Sequence, residues 1–262
     1  AMTGKQCDAY QMNTGKPFDK TKDWTGDENY VSAEEAASGD WAPLVEGVNK
    51  QYGHREPRFY ATVAYNGCLW NGTNAVQSYD RNLIIWYYRG EESGWSNSGD
   101  RWLATGIGIR KFVSSRDNFK TEGGVISKPV IGIRYADVLL WYAEALNEVG
   151  ESTKALAMLN RIRERAFGDD SGNFKPMSKD EFRTAILNER RLEFPHEGHR
   201  WFDLVRTGTF IQRMKEHSAY EAKVAEANKT EIAQNIKEHM ILMPIPQSEI
   251  DLNPNLVQNA GY

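Results

Sequence analysis

Cysteine, long apolar runs and a targeting segment are all scarce or missing in this 262-residue sequence. Its two cysteines, Cys7 and Cys68, are too few for a disulfide scaffold, and they leave open either one bridge or two free thiols. No apolar run approaches the roughly 20 residues that a membrane-spanning helix needs. The first residues also lack the apolar segment of a signal peptide, so Cys7 is not predicted to be a lipidation site.

The sequence also lacks a large excess of charge of either sign. The chain has 32 Lys and Arg against 36 Asp and Glu, for a formal net charge of −4, and no basic block dominates any segment. This balance argues against nucleic acid or an anionic membrane surface as a partner. The nucleophile elbow, the Walker A loop and the dinucleotide-binding glycine motif are also missing from the sequence. We therefore predict no cofactor and no catalytic motif of these kinds.

Aromatic residues, by contrast, are plentiful: eight Trp, twelve Tyr and ten Phe. Several tryptophans of the first half lie in polar, turn-forming sequence, where a core helix does not account for them. Sugar rings have apolar C–H faces that pack on indole, while their hydroxyls bond to amide side chains. We therefore predict a glycan site built from loop tryptophans and one asparagine: Trp24, Trp41, Trp70, Trp95, Trp102 and Asn71.

The alternative for each loop tryptophan is a structural one. A tryptophan in a loop often anchors that loop to the body of the protein, and most tryptophans are largely buried. Three others lie on a predicted strand or predicted helices, and we assign them to the core: Trp86, Trp141 and Trp201.

The first half predicts only short elements. Ser32 and Glu35 have capping-box spacing for a short helix that ends near Ala37. Alternating residues rich in β-branched and aromatic side chains predict a strand at 58–65, followed by a turn at Asn66–Gly67. The segment 82–88 is a second strand candidate. A further short extended piece is predicted at 106–112.

From Arg134 the apolar spacing becomes helical. Gly150 is predicted to end the first long helix, and Ser152 to cap the second, which gives a tetratricopeptide-like hairpin. The first helix is predicted to bury Val138, Leu139, Tyr142, Ala145, Leu146 and Val149. A third helix follows Ser178 with Glu181 at the capping-box position, a fourth runs over 199–206, and a longer one opens at Thr209 and runs towards Ala227. The fold class is thus mainly α, with a loop-rich ligand-binding part at 1–132 and a helical part at 133–262.

One carboxylate cluster invites a catalytic interpretation. Glu189, Glu193 and Glu197 recur at four-residue intervals, and paired carboxylates are the machinery of glycoside hydrolases. Arg190 and Arg191 lie beside them, however, and carboxylates with guanidinium partners more often form ion-pair networks between helices. We therefore favour a structural network over a hydrolase site. His196 and His199 lack the spacing of a helical zinc motif.

Several ordered motifs in the second half resemble one known family. They include Arg134-Tyr-Ala-Asp-Val-Leu-Leu140, Glu189-Arg-Arg-Leu-Glu193, Glu197-Gly-His-Arg-Trp-Phe-Asp-Leu204 and the ending from Pro244-Ile-Pro246 to Gly261-Tyr262. In combination they resemble the SusD/RagB family of outer-membrane nutrient-binding lipoproteins. The resemblance extends upstream to Asp8-Ala-Tyr-Gln-Met12 and so covers essentially the whole chain.

The resemblance implies a mainly helical fold and a non-catalytic protein that captures oligosaccharide or polysaccharide at the cell surface. Such proteins deliver glycan to a TonB-dependent transporter in the outer membrane. Family members are longer than this chain, carry N-terminal helical repeats and begin with a signal peptide and a lipidated cysteine. We therefore interpret the chain as a C-terminal portion whose hairpin packs on those missing repeats or on a partner. The alternatives are an interaction module that docks a transporter through the hairpin, with structural aromatics, or, less favoured, the hydrolase.

Overall fold

The computed structural model describes residues 2–71, 82–88, 91, 103, 105–114, 117, 126–217 and 236–262. Contacts divide the chain into two compact units, one ending at His196 and one beginning at Glu197. Within the described residues helices predominate and strands are few and short, which confirms the predicted mainly α class. The predicted boundary between residues 132 and 133 remains a prediction.

The first unit begins with short elements: helix α1 (Gly4–Cys7), helix α2 (Ala33–Ser38) and helix α3 (Pro57–Thr62). The predicted cap of α2 is confirmed, because Ser32 Oγ accepts from the Glu35 backbone and Glu35 accepts from the Ser32 backbone. These two bonds satisfy amide groups that a helix start leaves unpaired.

Helix α3 replaces most of the strand predicted at 58–65, and that prediction is wrong. Pro57 occupies the first helical position, where a missing N–H costs no hydrogen bond and the fixed φ suits a helix. Phe59, Thr62 and Val63 are buried, which is a helical three-and-four spacing rather than an alternating one. Strand β1 (Val63–Ala64) is all that remains of the predicted strand.

Two small antiparallel sheets follow. Strand β1 pairs with β4 (Gly108–Ile109), and β2 (Cys68–Asn71) pairs with β3 (Leu83–Ile85). The predicted strands at 82–88 and 106–112 are therefore present but shorter. The turn before β2 is confirmed: Gly67 has φ +83°, and the Cys68 N–H donates to the Tyr65 carbonyl over 2.9 Å.

The first core gathers apolar side chains from these short elements. Tyr10, Phe59 and Val63 are fully buried in it. Cys7 and Cys68 also lie in this core as free thiols, which settles the question that the sequence left open. Burial raises the pKa of Cys7 to about 12 and that of Cys68 to about 11.

The second core is built by three long helices: α4 (Tyr135–Glu148), α5 (Ser152–Phe167) and α6 (Lys179–Glu193). Gly150, with φ +88°, lies between α4 and α5 as predicted, and the Glu151 N–H donates to the Leu146 carbonyl over 2.8 Å. The predicted cap at Ser152 is wrong, because Glu151 occupies the N-cap position and Ser152 is the first residue of α5. The predicted capping box of Ser178 and Glu181 is confirmed at the start of α6. Leu192, near the end of α6, packs in the first core, so this helix links the two cores.

The buried face of α4 differs from the prediction. Leu139 and Leu146 are buried as expected, but Ala136, Leu140 and Ala143 are buried with them. The remaining predicted stripe residues are exposed, and so is Trp141, whose assignment to the core was wrong: Val138 at 46%, Trp141 at 43%, Tyr142 at 52%, Ala145, and Val149 at 75%. Because α4 is apolar around most of its circumference, periodicity alone does not select the inward face.

The second unit begins with helix α7 (His199–Arg206), as predicted. Residues 210–217 are helical, and the rest of the helix predicted towards Ala227 lies outside the described residues. The chain then forms a 3-10 turn (Glu238–Ile241) and helix α8 (Gln247–Leu252), and the Tyr262 hydroxyl donates to the Leu242 carbonyl over 2.9 Å. Trp201 is half-buried, with its ring centroid 4.4 Å from that of Phe210. Among the described helices, none has the length and apolar character needed to cross a bilayer.

Candidate functional site

Trp24, the first predicted site residue, is half-buried and engaged by protein groups. Its ring stacks on Phe18 at a centroid distance of 5.9 Å and an interplanar angle of 16°, and the Lys22 ammonium lies 4.1 Å from its centroid. The Asn49 side-chain amide donates to the Trp24 carbonyl over 2.8 Å. Among the described residues, the buried indole nitrogen has no hydrogen-bond partner. These contacts resemble those of a loop anchor more than those of an open platform.

Trp41 is half-buried beside the same stretch of chain. Its ring lies 4.6 Å from the ring of His54, and the Lys50 ammonium lies 5.2 Å from its centroid. Gly53 packs so closely that an added Cβ would lie 2.6 Å from the Trp41 ring. Residues 49–54 therefore contact both Trp24 and Trp41, and the structure brings these two predicted residues to one segment.

The other predicted residues are not gathered with them. Trp70 is half-buried and packs against the first core. Asn71 ends strand β2, where it pairs with Leu83. Trp95 and Trp102 lie outside the described residues. The six-residue glycan site thus remains a prediction.

A second aromatic pair was missed by the sequence analysis. Trp86 and Tyr88 stack with centroids 5.6 Å apart and planes 14° from parallel, and Tyr88 is 48% exposed. We call this pair the aromatic shelf. Trp86 is half-buried against the first core, as its assignment to the core predicted, but it also stacks on the exposed Tyr88.

The aromatic shelf rests on a tightly packed support. An added Cβ at Gly67 would lie 2.7 Å from the Trp86 ring, so only glycine fits there at a φ of +83°. The Tyr87 N–H donates to Asn66 Oδ1 over 2.6 Å, and the Gly67 N–H donates to the Ile85 carbonyl over 2.8 Å. Residues two apart in extended chain point to the same side, and this spacing is the signal that identifies Tyr88 as the outer partner of Trp86.

The carboxylates considered for catalysis lie in a buried ion-pair network. Arg58 Nη1 donates to Glu189 Oε1 over 2.7 Å and to Glu193 Oε2 over 3.1 Å. Arg163 Nη1 donates to Glu189 Oε2 over 2.8 Å, and both of these side chains are 1% exposed. The predicted structural network is confirmed for Glu189 and Glu193, and these guanidinium partners come from α3 and α5.

Glu193 completes the network on its other side. Arg134 Nη1 donates to its Oε1 and Arg165 Nη2 to its Oε2, each over 2.6 Å. Burial alone would raise the pKa of Glu193, but the surrounding guanidinium groups, led by Arg165, hold that pKa below its ordinary value. A general acid must carry a proton near neutral pH, so this carboxylate is unsuited to that role. Glu197, the third residue of the motif, belongs to the second unit.

The fold and these sites define a mainly helical protein with a helical hairpin, a loop-rich aromatic part and a carboxylate cluster committed to structure. The family model described as "SusD family" matches residues 1–262. The chain belongs to the SusD family. This confirms the resemblance drawn from the sequence motifs, and no catalytic family is indicated.

Individual relatives agree with the family assignment. SusD-like protein P38 of Formosa agariphila is 35% identical over 139 residues, covering 51% of this chain and 24% of the relative. SusD-like protein P2 of the same organism is 37% identical over 151 residues, covering 54% and 27% respectively. A crystal structure of a SusD-like protein from Bacteroides fragilis matches the whole chain and 47% of its own length, with a TM-score of 0.67 and 22% identity. The match thus spans less than half of each of these proteins.

Proposed function

We propose that the protein binds oligosaccharide or polysaccharide at the cell surface without chemical turnover, and that the aromatic shelf is part of the binding surface. The observation that carries this proposal is the exposed Tyr88 ring stacked on the core-packed Trp86. Membership of the SusD family supports the same function.

The physical reason for expecting a sugar at the aromatic shelf is the packing of a sugar ring on an aromatic ring. The C–H face of a pyranose is apolar, and packing it on an aromatic face removes both from water. Trp86 is fixed by its contacts with Gly67 and the first core, and Tyr88 stacks on it. Little conformational entropy is therefore lost when a sugar packs on the Tyr88 ring. Trp24, Trp41, Trp70, Trp95, Trp102 and Asn71 stay in the proposal as further contact residues.

Delivery to a transporter is the second part of the proposal. SusD-like proteins are surface lipoproteins of the outer membrane, and we propose that this protein acts there and passes its glycan to a TonB-dependent transporter. Co-purification of the protein with such a transporter, and loss of glycan uptake when its gene is deleted, would test this step. Normal uptake without the protein would contradict it.

Isothermal titration against a panel of polysaccharides tests the binding step. Tyr88→Ala is expected to weaken binding about tenfold, which corresponds to about 1.4 kcal/mol. Tyr142→Ala is a matched control, because Tyr142 is also a half-exposed tyrosine, at 52%, but lies on helix α4. Failure to bind any glycan would contradict the function, and equal effects of the two variants would contradict the role of the aromatic shelf.

A second candidate function is protein interaction through the hairpin. Helix α4 and its C-cap residue expose a regular apolar row that we call the α4 stripe: Tyr135, Val138, Tyr142, Ala145 and Val149. These residues are spaced alternately three and four apart, as in helix-to-helix seams, and exposed apolar patches commonly mark interaction sites. We propose that another helix covers the α4 stripe, either from further N-terminal repeats of a longer chain or from a partner protein.

A further inference from the structure

A separate cleft lies in the first unit, where the segment after α1 and the loop around Phe18 meet helix α6. Its volume is about 270 Å³, close to the lower end of the range for small-molecule sites. Phe18, Phe174 and Leu192 supply apolar lining, and Asn188 and Lys20 supply polar lining. We call it the α6 cleft, and its described lining includes neither the aromatic shelf nor Trp24, Trp41 or Trp70.

The walls of the α6 cleft are fixed by hydrogen bonds. Asn160 binds Phe174 twice: its Oδ1 accepts from the Phe174 N–H over 2.9 Å, and its amide donates to the Phe174 carbonyl over 3.1 Å. The Arg163 guanidinium lies 3.9 Å from the centroid of the Phe174 ring. Arg191 donates to Gln6 Oε1 over 2.6 Å. These contacts hold Phe174 and Arg191 in place without a ligand.

Acceptors in the α6 cleft are largely committed to protein donors. Both oxygens of Glu189 accept from arginines, Oε1 from Arg58 and Oε2 from Arg163. Gln11 Oε1 accepts from Arg163 Nη2 over 2.6 Å. With Glu189 balanced by Arg163, the described lining residues carry two further cations, Lys20 and Arg191, and one further carboxylate, Asp8.

Donors in the α6 cleft are not committed in the same way. Within the described part of the chain, no acceptor engages the Lys20 ammonium, the Asn188 amide or the nitrogen of the Gln11 amide. A ligand rich in acceptors would pair with these groups, and a negative charge on it would form a charge-assisted bond with the ammonium. A neutral ligand would leave the positive excess unmatched.

We propose that the α6 cleft is a second binding site and takes the anionic group of an acidic saccharide unit, a carboxylate or a sulfate. Lys20 and Asn188 bind the anionic group, and the Phe174 ring contacts the sugar. The identification of the ligand as a saccharide rests on the proposed function, whereas the preference for an anion rests on the cleft itself.

Isothermal titration with three oligosaccharides tests this site: an oligogalacturonate, a sulfated oligogalactan and an unsulfated oligogalactan. Lys20→Gln is expected to weaken binding of at least one of the acidic oligosaccharides about tenfold and to reduce its salt dependence. Asn188→Asp is expected to weaken it further by like-charge repulsion. The matched control is Lys16→Gln, an exposed lysine outside the cleft, which is expected to change nothing. Circular dichroism verifies that each variant folds.

The outcomes separate this site from the aromatic shelf. If Lys20→Gln weakens binding of only one of the two acidic oligosaccharides, the result identifies carboxylate or sulfate as the preferred group and supports the proposal. Equal effects of Lys20→Gln and Lys16→Gln overturn it, as does equal binding of the acidic and neutral oligosaccharides by the unaltered protein. If Tyr88→Ala weakens glycan binding while both cleft variants leave it unchanged, the proposed function stands and this inference falls. If no glycan binds at all, both fall.

Discussion

At the scale of single residues, the side chains of Glu189 and Arg163 show how much the helical core depends on charge. Both are 1% exposed, and their oxygen and nitrogen atoms lie 2.8 Å apart. Removing one member of such a buried pair leaves the other charge desolvated. We predict that Glu189→Gln lowers the free energy of unfolding by about 3–5 kcal/mol, measured by urea denaturation at neutral pH.

The matched control for this prediction is an exposed pair of the same chemistry. Glu148 accepts from Arg183 Nε over 2.7 Å, but its side chain is 40% exposed. Solvent screens such a pair, so Glu148→Gln is expected to cost far less stability than Glu189→Gln. Similar losses in the two variants would show that burial of the network is not what stabilises the fold.

Glu193 predicts a specific dependence of stability on pH. Its pKa in the folded protein lies below the ordinary value of 4.5 because nearby guanidinium groups outweigh the effect of burial. A depressed pKa contributes stability that is present above pH 4.5 and is lost as the pH falls through the folded pKa. We therefore predict that urea stability of the unaltered protein falls more steeply below pH 4.5 than that of Glu193→Gln. Parallel pH profiles would contradict this.

At the scale of elements, features that depend on neighbouring residues could be predicted from the sequence, whereas contacts between distant residues could not. The capping boxes at Ser32 and Ser178 and the helix stop at Gly150 each depend on residues within a few positions, and all three are confirmed. The partner Arg58 of Glu189 lies 131 positions away. The sequence predicted an ion-pair network and pointed to the neighbouring Arg190 and Arg191, whereas the fold brings Arg58 and Arg163 to Glu189.

The same contrast explains the candidate site. The residues at 82–88 predicted an extended segment, but they do not reveal that Gly67 and the first core pack against Trp86. Tyr88 became a candidate only when its exposure was known. Helix α3 was misread because an aromatic run fits a strand as well as a short helix, and Pro57 was the overlooked start signal.

The α4 stripe carries the prediction at this scale. We predict that Val138→Lys combined with Tyr142→Glu reduces self-association and the binding of a hydrophobic dye, because both side chains are about half exposed. The melting temperature should change little. Light scattering and dye fluorescence measure the first effect, and calorimetry the second.

Leu140→Ala is the control on the opposite face of α4, where Leu140 is fully buried in the second core. It is expected to cost about 2–5 kcal/mol of stability. An unaltered protein that is a fully stable monomer and binds no dye would contradict an uncovered α4 stripe. A Val138 and Tyr142 variant as unstable as Leu140→Ala would show that the stripe packs within the protein.

At the scale of the whole molecule, the described parts of the two units differ in how much apolar surface they bury. Both described core clusters, the aromatic shelf and the α6 cleft lie in the unit that ends at His196. In the described part of the unit that begins at Glu197, the buried apolar side chains are Leu204 and Phe210. A small unit with so little buried apolar surface has little to offset its conformational entropy.

We therefore predict that residues 1–196, produced alone, unfold cooperatively in calorimetry and retain glycan binding through Tyr88. Residues 197–262 alone are expected to show no cooperative transition, because their described core is too small to order them. A cooperative transition in the smaller fragment would show that it is an independent domain. Loss of cooperative unfolding in the larger one would show that its two cores require the second unit, and the binding surfaces would then have to be assigned to the intact chain.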